Sequence, residues 1–173
     1  YLQADANGPV ELYHNNVKQL STRSDGIEVH APEGGEAMLY LTADEGDDDN
    51  DKYRLVAQNG GDLIFQRHNG SAYASELRLK SAGGMQLNFQ GSNKLETSST
   101  GITVTGNVLP DTDNSRELGS SSKRWQNIYT TDLKLSNEGS SNDVDGTWGN
   151  YTIQEGAEDL FLINHRTGKK FNW

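Results

Sequence analysis

The stretch MQLNFQGSNKLETSSTGITV, Met85 to Val104, decides the fold class. Apolar and polar residues alternate in it, which is typical of β-strands that bury one face. Two turn sequences, QGSN and STG, interrupt the alternation with Gly or Asn, which take the positive φ that tight turns require. The apolar stripe is thin, with Leu95, Ile102 and Val104 in its second half. The pattern predicts short strands whose stripe is not buried by this stretch alone.

The same pattern occurs earlier, in VELYHNNVKQLSTRSDGIEV, Val10 to Val29. The two stretches align without a gap at a constant offset of 75 residues, with HNN and SDG as the turns of the first copy. The identical positions include Leu12 with Leu87, Leu20 with Leu95, Gly26 with Gly101, Ile27 with Ile102, and Val29 with Val104. We interpret both as repeats whose stripes turn inward when three copies wind around a common axis.

The composition also favours an assembly over a core closed within one chain. Of the 173 residues, 32% are hydrophobic, and the mean hydropathy is −0.80. Such a composition is also found in disordered chains. Disorder is the weaker interpretation here, because the chain has only 3 prolines and its Thr, Val, Ile, Tyr and Trp recur in alternating runs that favour strands.

Charge and residue content exclude several classes of protein. The absence of cysteine excludes disulfides and cysteine metal sites. A net charge of −10 repels phosphate backbones, so we expect no nucleic-acid partner. No window approaches the ~18 apolar residues of a membrane span, so we expect a soluble chain without membrane insertion. The chain opens in mid-pattern, and whether Tyr1 is the true N-terminus stays open.

We divide the chain into four parts: a first repeat copy (1–32), an antiparallel β-meander (33–84), a second copy (85–110) and a C-terminal knob with one short helix (111–173). The meander is predicted to form a small sheet of four strands, with turns at Asn59-Gly60 and Asn69-Gly70. The four predicted strands are Ala37–Leu41, Lys52–Ala57, Asp62–Arg67 and Ser75–Lys80.

The knob combines the predicted helix with a predicted hairpin. Ser121 or Ser122 caps the helix, and Trp125, Ile128 and Tyr129 share one of its faces. The end of the chain predicts a strand and then a hairpin that turns through Arg166, Thr167, Gly168 and Lys169. Its predicted inward residues are Leu160, Leu162, Phe171 and Trp173.

Much of the chain resembles tail-fibre and related virion-fibre proteins of marine tailed phages, especially those of cyanobacteria. The segments concerned are LYHNNVKQLSTRSDGIEV, KLETSSTGITVTGNVLP, ADEGDDDNDKYRLVA, DNSRELGSSSKRWQNIYTTDLKLSN and YTIQEGAEDLFLINHRTGKKFNW. The most specific motif is Leu-Gly-Ser-Ser followed by Arg-Trp-x-x-Ile-Tyr. Family members often carry a self-cleaving chaperone domain after this motif. Nothing in this chain matches that domain, so autoproteolysis is not carried over.

The resemblance implies a homotrimer with intertwined strands, on the virion and outside the cell. It also implies other virion tail proteins and a glycan or protein receptor on the host surface as partners. We therefore predict an all-β, intertwined homotrimeric β-fibre with short repeats, a small antiparallel sheet and a C-terminal β-hairpin knob. The predicted role is a structural tail-fibre segment in host attachment, not an enzyme. Two alternatives remain open: a bacterial secreted adhesin or extracellular filament subunit, and a fragment of a polysaccharide-degrading tailspike.

The acidic run Asp44 to Asp51 raises the question of a calcium loop. It has carboxylates at alternate positions, Asp47, Asp49 and Asp51. Lys52 stands where an EF-hand loop has its Gly, and Gln58 where it has its final Glu. We favour a solvated hairpin tip and predict no metal site.

No catalytic or cofactor-binding residues are predicted. Glu155 with Glu158 or Asp159 supplies acidic pairs for a glycosidase, but spacing alone identifies no cleft. Four histidines stand singly, with no metal pair at helical spacing: His14, His30, His68 and His165. Trp148, Tyr151 and Trp173 are of a type that stacks on sugars. We favour packing in a trimer tip for them, because the knob has little other apolar material.

Overall fold

Short strands with a polar residue at every second position fold into antiparallel sheets. The computed structural model describes residues 1–172, and Trp173 lies outside the described part. Within residues 1–172 there are fifteen strands and two short 3₁₀ turns, Asp44–Gly46 and Asp49–Asp51. The strands form three sheets in which all pairs are antiparallel. The predicted all-β class is therefore confirmed.

The chain divides into two units, Tyr1–Asp111 and a second unit from Thr112 onward. The first sheet lies in the first unit and has the order β1-β2-β3-β4. Its strands are β1 (Leu2–Ala4), β2 (Val10–His14), β3 (Val17–Arg23) and β4 (Gly26–Val29). The turn between β2 and β3 places Asn15 and Asn16 at φ 48° and 64°. Asparagine tolerates this left-handed region, which two-residue hairpin turns require.

The second sheet, also in the first unit, has seven strands in the order β11-β10-β9-β8-β7-β6-β5. They are β5 (Ala37–Thr42), β6 (Lys52–Ala57), β7 (Leu63–His68), β8 (Tyr73–Leu79), β9 (Met85–Phe89), β10 (Ser92–Ser98) and β11 (Gly101–Val104). The predicted sheet of four strands is therefore only part of a larger one. The turn that extends it has Gly83 and Gly84 at φ 83° and 93°, which brings β9 alongside β8.

The two repeat copies have the same structure at the same offset. Adding 75 to the bounds of β2, β3 and β4 gives the bounds of β9, β10 and β11. Each copy has a β-bulge on its middle strand, at Gln19 and at Lys94. The carbonyls of these two residues accept hydrogen bonds from His30 N and Thr105 N, each at 2.8 Å. The repeat in the sequence is therefore a repeat of strand length, register and bulge.

The third sheet lies in the second unit, in the order β12-β13-β14-β15. Its strands are β12 (Asp132–Ser136), β13 (Asn150–Glu155), β14 (Leu160–Asn164) and β15 (Lys170–Asn172). The strand and hairpin predicted for the end of the chain correspond to β13, β14 and β15.

The predicted helix around Trp125 is wrong. Residues 107–131 contain neither helix nor strand, and a turn occupies the start of the proposed helix, where Ser120 and Lys123 exchange backbone hydrogen bonds of 2.9 and 3.2 Å. Trp125, Ile128 and Tyr129 do have helical spacing, but all three are exposed. A helix this short is marginal in water without a surface to pack against.

The described residues bury very little apolar material. Only Val56 and Ile64, at 1% and 0% exposure, form a buried apolar core within residues 1–172. The accessible surface of the chain is 13,623 Å², whereas a compact monomer of this mass exposes about 8,400 Å².

Within residues 1–172, no helix is both long and apolar enough to cross a membrane.

Candidate functional site

A continuous row of apolar side chains crosses the seven-stranded sheet on one face. Residues paired directly across neighbouring strands point to the same face, and this row takes one residue from every strand. The row is Leu39, Leu55, Phe65, Leu77, Leu87, Leu95 and Val104. We call such a row an apolar ladder. Leu39, Phe65, Leu87 and Val104 are between 37% and 46% exposed, so the ladder is not covered by the chain itself.

The other two sheets each carry an apolar ladder of the same kind. In the first sheet the ladder is Leu2, Leu12, Leu20 and Val29. In the third sheet it is Leu133, Ile153, Leu162 and Phe171. Leu2, Leu12, Leu133 and Phe171 are exposed. Every strand in the described part of the chain therefore contributes one apolar side chain to a ladder, and each ladder is partly open.

The face opposite the seven-stranded ladder is polar toward β8–β11 and internally paired. Val56 and Ile64 lie on this face, in a row that continues through Arg78, Gln86 and Glu96. Arg78 forms an ion pair with Asp62 at 3.1 Å. Glu96 accepts hydrogen bonds from Lys80, Gln86 and Asn93.

These contacts favour the ionised carboxylates. The hydrogen bond from Lys80, followed by that from Gln86, lowers the pKa of Glu96. The backbone hydrogen bond from Ser81 is the largest influence that lowers the pKa of Asp62, to which Arg78 adds. Charged groups that are paired and half-exposed are suited to contact with water. The apolar ladder, not this face, is therefore the surface that leaves apolar side chains open to water.

The first sheet has a similar polar side. Glu11 forms an ion pair with Lys18 at 3.0 Å and accepts a hydrogen bond of 2.6 Å from the Tyr13 hydroxyl. The hydrogen bonds from Tyr13 and Lys18 lower the pKa of Glu11. The same bond to Glu11 raises the pKa of Tyr13 to about 12. The Tyr13 ring stacks on Tyr1 with the ring centroids 4.5 Å apart.

The acidic loop brings together a different set of carboxylates from the one predicted. Oxygens of Asp44, Asp47 and Asp51 lie within 4.8 Å of one another. Asp49, the middle residue of the predicted alternation, instead contacts Lys52 and His68, each at 3.1 Å. Asp44 and Asp47 are exposed, and clustered carboxylates at an exposed hairpin tip are also a common way to keep a sheet soluble.

Two histidines bind the only buried hydroxyls of the described chain. His30 Nε2 lies 2.6 Å from Ser21 Oγ, and His165 Nε2 lies 2.8 Å from Thr152 Oγ1. Glu28 lies near His30 but approaches the same Nε2 atom, at 3.8 Å. A Ser-His-acid triad needs the acid on the other ring nitrogen. The geometry is that of a hydrogen bond that satisfies a buried hydroxyl.

Two of the predicted aromatic residues have partners within the second unit. The Arg166 guanidinium lies 4.0 Å from the centre of the Trp148 ring. The Tyr151 hydroxyl accepts a hydrogen bond of 2.9 Å from Asn164 Nδ2. Tyr151 also pairs with Leu135 and so lies on the ladder face. The predicted role of Trp173 concerns a residue outside the described part.

The predicted acidic pair lies on a turn. Glu155 ends β13, and Glu158 and Asp159 follow in the short connection to β14, where Gly156 N donates to Asp159 O at 2.8 Å. All three carboxylates are exposed. The predicted inward residues Leu160, Leu162 and Phe171 share the ladder face of the third sheet, with Leu160 and Phe171 exposed.

Sequence reasoning identified the stripes but missed the ladders that join them. Alternation places residues on a face, but the register between strands decides whether neighbouring stripes line up. Counting outward from the turn between β2 and β3 pairs Leu12 with Leu20 only if the bulge at Gln19 is recognised.

Comparison of this chain with protein-family models, with curated proteins and with solved structures found no match in any of the three.

Proposed function

We propose that this chain is a structural segment of a homotrimeric extracellular fibre, of the tail-fibre type carried on virions, that takes part in host attachment. The observation that carries the proposal is the partly open apolar ladder in each of the three sheets. Apolar surface is stabilised by removal from water at about 25 cal/mol per Å². A second and a third copy of the same chain supply matching apolar surface.

The amount of open surface supports an obligate assembly. The chain exposes 13,623 Å², which exceeds the surface of a compact monomer by about 5,200 Å². Obligate interfaces bury roughly 2,000–5,000 Å² or more and resemble a domain core cut in half. The excess is therefore of the size that permanent association removes from water.

The resemblance of the sequence to virion fibres supports three copies rather than two. In such an assembly the paired polar faces lie outward and the ladders lie inward. The role is mechanical and adhesive, because a receptor-binding tip presented three times gains avidity over a single weak site. A host-surface glycan or protein is the proposed receptor, and other virion tail proteins are the proposed neighbours.

The solution mass tests the proposal. Light scattering of the intact chain should give about three times 19.0 kDa, and the mass should survive mild heating in detergent. A folded species with the mass of one chain would contradict the assembly. A broad distribution of masses that keeps growing with protein concentration, as head-to-tail polymers give, would favour the alternative of a filament subunit.

A matched pair of variants tests whether the ladder is the interface. Leu87→Asp places a charge on the ladder, and an unpaired charge in an apolar interface costs several kcal/mol. We expect this variant to lose the trimeric mass at concentrations where the unsubstituted chain keeps it. Thr103→Asp is the control, because Thr103 lies on the opposite face of the same sheet. If both variants keep the trimeric mass, the ladder is not the interface.

A further inference from the structure

Residues 114–131, which we call the connecting segment, expose large apolar side chains that the described chain does not cover. The segment precedes β12 and contains neither helix nor strand. Its large apolar residues are 62% to 93% exposed: Leu118, Trp125, Ile128 and Tyr129. Contiguous apolar surface left open to water often marks an interaction site.

The connecting segment has local structure that presents Trp125. Ser120 and Lys123 exchange backbone hydrogen bonds, and Ser120 Oγ accepts a further one from Lys123 N at 3.1 Å. Gly119 has φ +89°, and a Cβ at this position would lie 2.9 Å from Lys123 O and 3.5 Å from the Trp125 ring. The turn therefore requires glycine and holds the indole beside it. Aromatic side chains presented in this way are the residues that dominate protein interfaces.

The third sheet also leaves apolar side chains open to water. Its ladder, Leu133 to Phe171, is open at both ends. The connecting segment does not cover the ladder of its own chain, because Tyr129 and Leu133 are exposed in the same structure, at 93% and 46%. The Thr130 hydroxyl donates to Asp132 O at 2.8 Å, which holds the junction between the segment and β12.

We propose that the connecting segment docks, through Trp125, Ile128 and Tyr129, on the third-sheet ladder of a second copy of this chain. This inference rests on the proposed function. Each copy carries both the segment and the ladder, so the contact is head-to-tail and is satisfied for every copy when it closes into a ring. Each ladder of the third sheet then receives residues from a neighbouring copy.

The length of the junction permits this contact. Leu133 is four positions after Tyr129, and four extended residues span at most about 14 Å. Layers that pack on a sheet lie about 10 Å from it. In a cyclic assembly the same sheet of every copy lies at one level along the axis, so the segment lies close to the level of the third sheet of the adjacent copy.

Engineered cysteines test the contact without background, because the chain has no cysteine. One chain carries Tyr129→Cys and a second, with a different tag, carries Leu162→Cys on the ladder. After co-expression and mild oxidation, we expect a covalent dimer that contains both tags. Val144→Cys is the matched control for the first chain, because Val144 is 95% exposed and lies in the loop between β12 and β13 of the same unit. It should give at least tenfold less of the mixed dimer.

Two outcomes would overturn the proposal. One is an equal yield of mixed dimer from Val144→Cys and Tyr129→Cys. The other is a double variant, Tyr129→Cys with Leu162→Cys, that forms its disulfide only within one chain. A second readout is the rate at which maleimide labels each single cysteine in the assembled protein. Tyr129→Cys should react at least tenfold more slowly than Val144→Cys.

The mass of the unsubstituted chain separates failure of this inference from failure of the proposed function. A trimeric mass with Tyr129→Cys labelled as fast as Val144→Cys would reject the docked segment and leave the fibre standing. A mass of one chain would reject both.

Discussion

Individual polar side chains in this protein satisfy one another across strands. Ser21 and Thr152, the buried hydroxyls of the described residues, each have a histidine ring nitrogen within 2.8 Å. A buried hydroxyl without a partner costs roughly 1–3 kcal/mol. The hydrogen bonds explain His30 and His165. From the sequence alone, single histidines beside Asn or turns predict a surface or fibre-lining position.

The hydrogen bond between Tyr13 and Glu11 makes the stability of the first sheet depend on pH in a way that can be measured. The hydrogen bond to Glu11 raises the pKa of Tyr13 to about 12 from an ordinary value near 10. The stabilisation by the protonated phenol is thus fully present below about pH 10 and is lost as the pH rises through about 12. Subtracting the ultraviolet titration of Tyr13→Phe from that of the unsubstituted chain should isolate a phenol that ionises near pH 12.

The variant Glu11→Gln should move this ionisation back toward pH 10, because it removes the charged acceptor. Glu28→Gln is the control, since Glu28 lies in the same sheet and pairs with Arg23 instead. A difference titration centred near pH 10 in the unsubstituted chain would show that the Tyr13 bond does not form in solution.

At the scale of the element, the repeat unit is three strands with one bulge and one side-chain cap. Val10 N donates to Thr22 Oγ1 at 2.9 Å in the first copy, and Met85 N donates to Thr97 Oγ1 at 2.8 Å in the second. The two hydroxyls are 75 positions apart, like the bulges. Each hydroxyl accepts the hydrogen bond of a backbone N–H at the first residue of a strand, where the neighbouring strand offers no backbone acceptor.

Replacing Thr97 by valine tests the cap with little change of volume. Thr97→Val leaves Met85 N without its acceptor, which costs about 1 kcal/mol. In a chain of this length we expect a fall in Tm of about 2–4 °C, measured by circular dichroism. Thr22→Val should give a fall of similar size. Thr103→Val, on the neighbouring strand β11, is the control and should change Tm by less; an equal fall would mean that valine itself, not the lost bond, is responsible.

The elements differ in how far the sequence predicted them. The order of strands and turns within the repeats followed from alternation and turn residues, and Asn15-Asn16 and Gln90-Gly91 do take positive φ. The seven-stranded sheet was not predicted, because the pairing of β8 with β9 depends on the turn at Gly83 and Gly84 rather than on either strand. The prediction of a helix at Trp125 was wrong because the spacing of apolar residues does not show whether another surface is present to bury the apolar face of the helix.

At the scale of the whole molecule, the apolar ladders and the net charge act in opposite directions. Each copy carries a net charge of −10, so copies repel one another. The proposed interface is apolar and does not depend on ion pairs between copies. The proposed association is therefore a balance between burial of apolar surface and electrostatic repulsion.

This balance predicts that salt strengthens the assembly. Raising the ionic strength from about 0.01 M to 0.15 M shortens the Debye length from ~30 Å to ~8 Å and screens the repulsion. Light scattering of a dilution series should show dissociation at lower protein concentration in the higher salt. Salt-induced dissociation would indicate that ion pairs between copies, not ladders, hold the assembly.

Each sheet is formed entirely by strands that are consecutive in the chain, since the three strand orders run without a crossover. Contacts of this local kind form quickly during folding, because little loop entropy is lost before they are made. A nascent chain can therefore complete each hairpin soon after synthesising it. In the proposed assembly the sheets therefore form first, within each chain. Association of the chains comes second and is the concentration-dependent step.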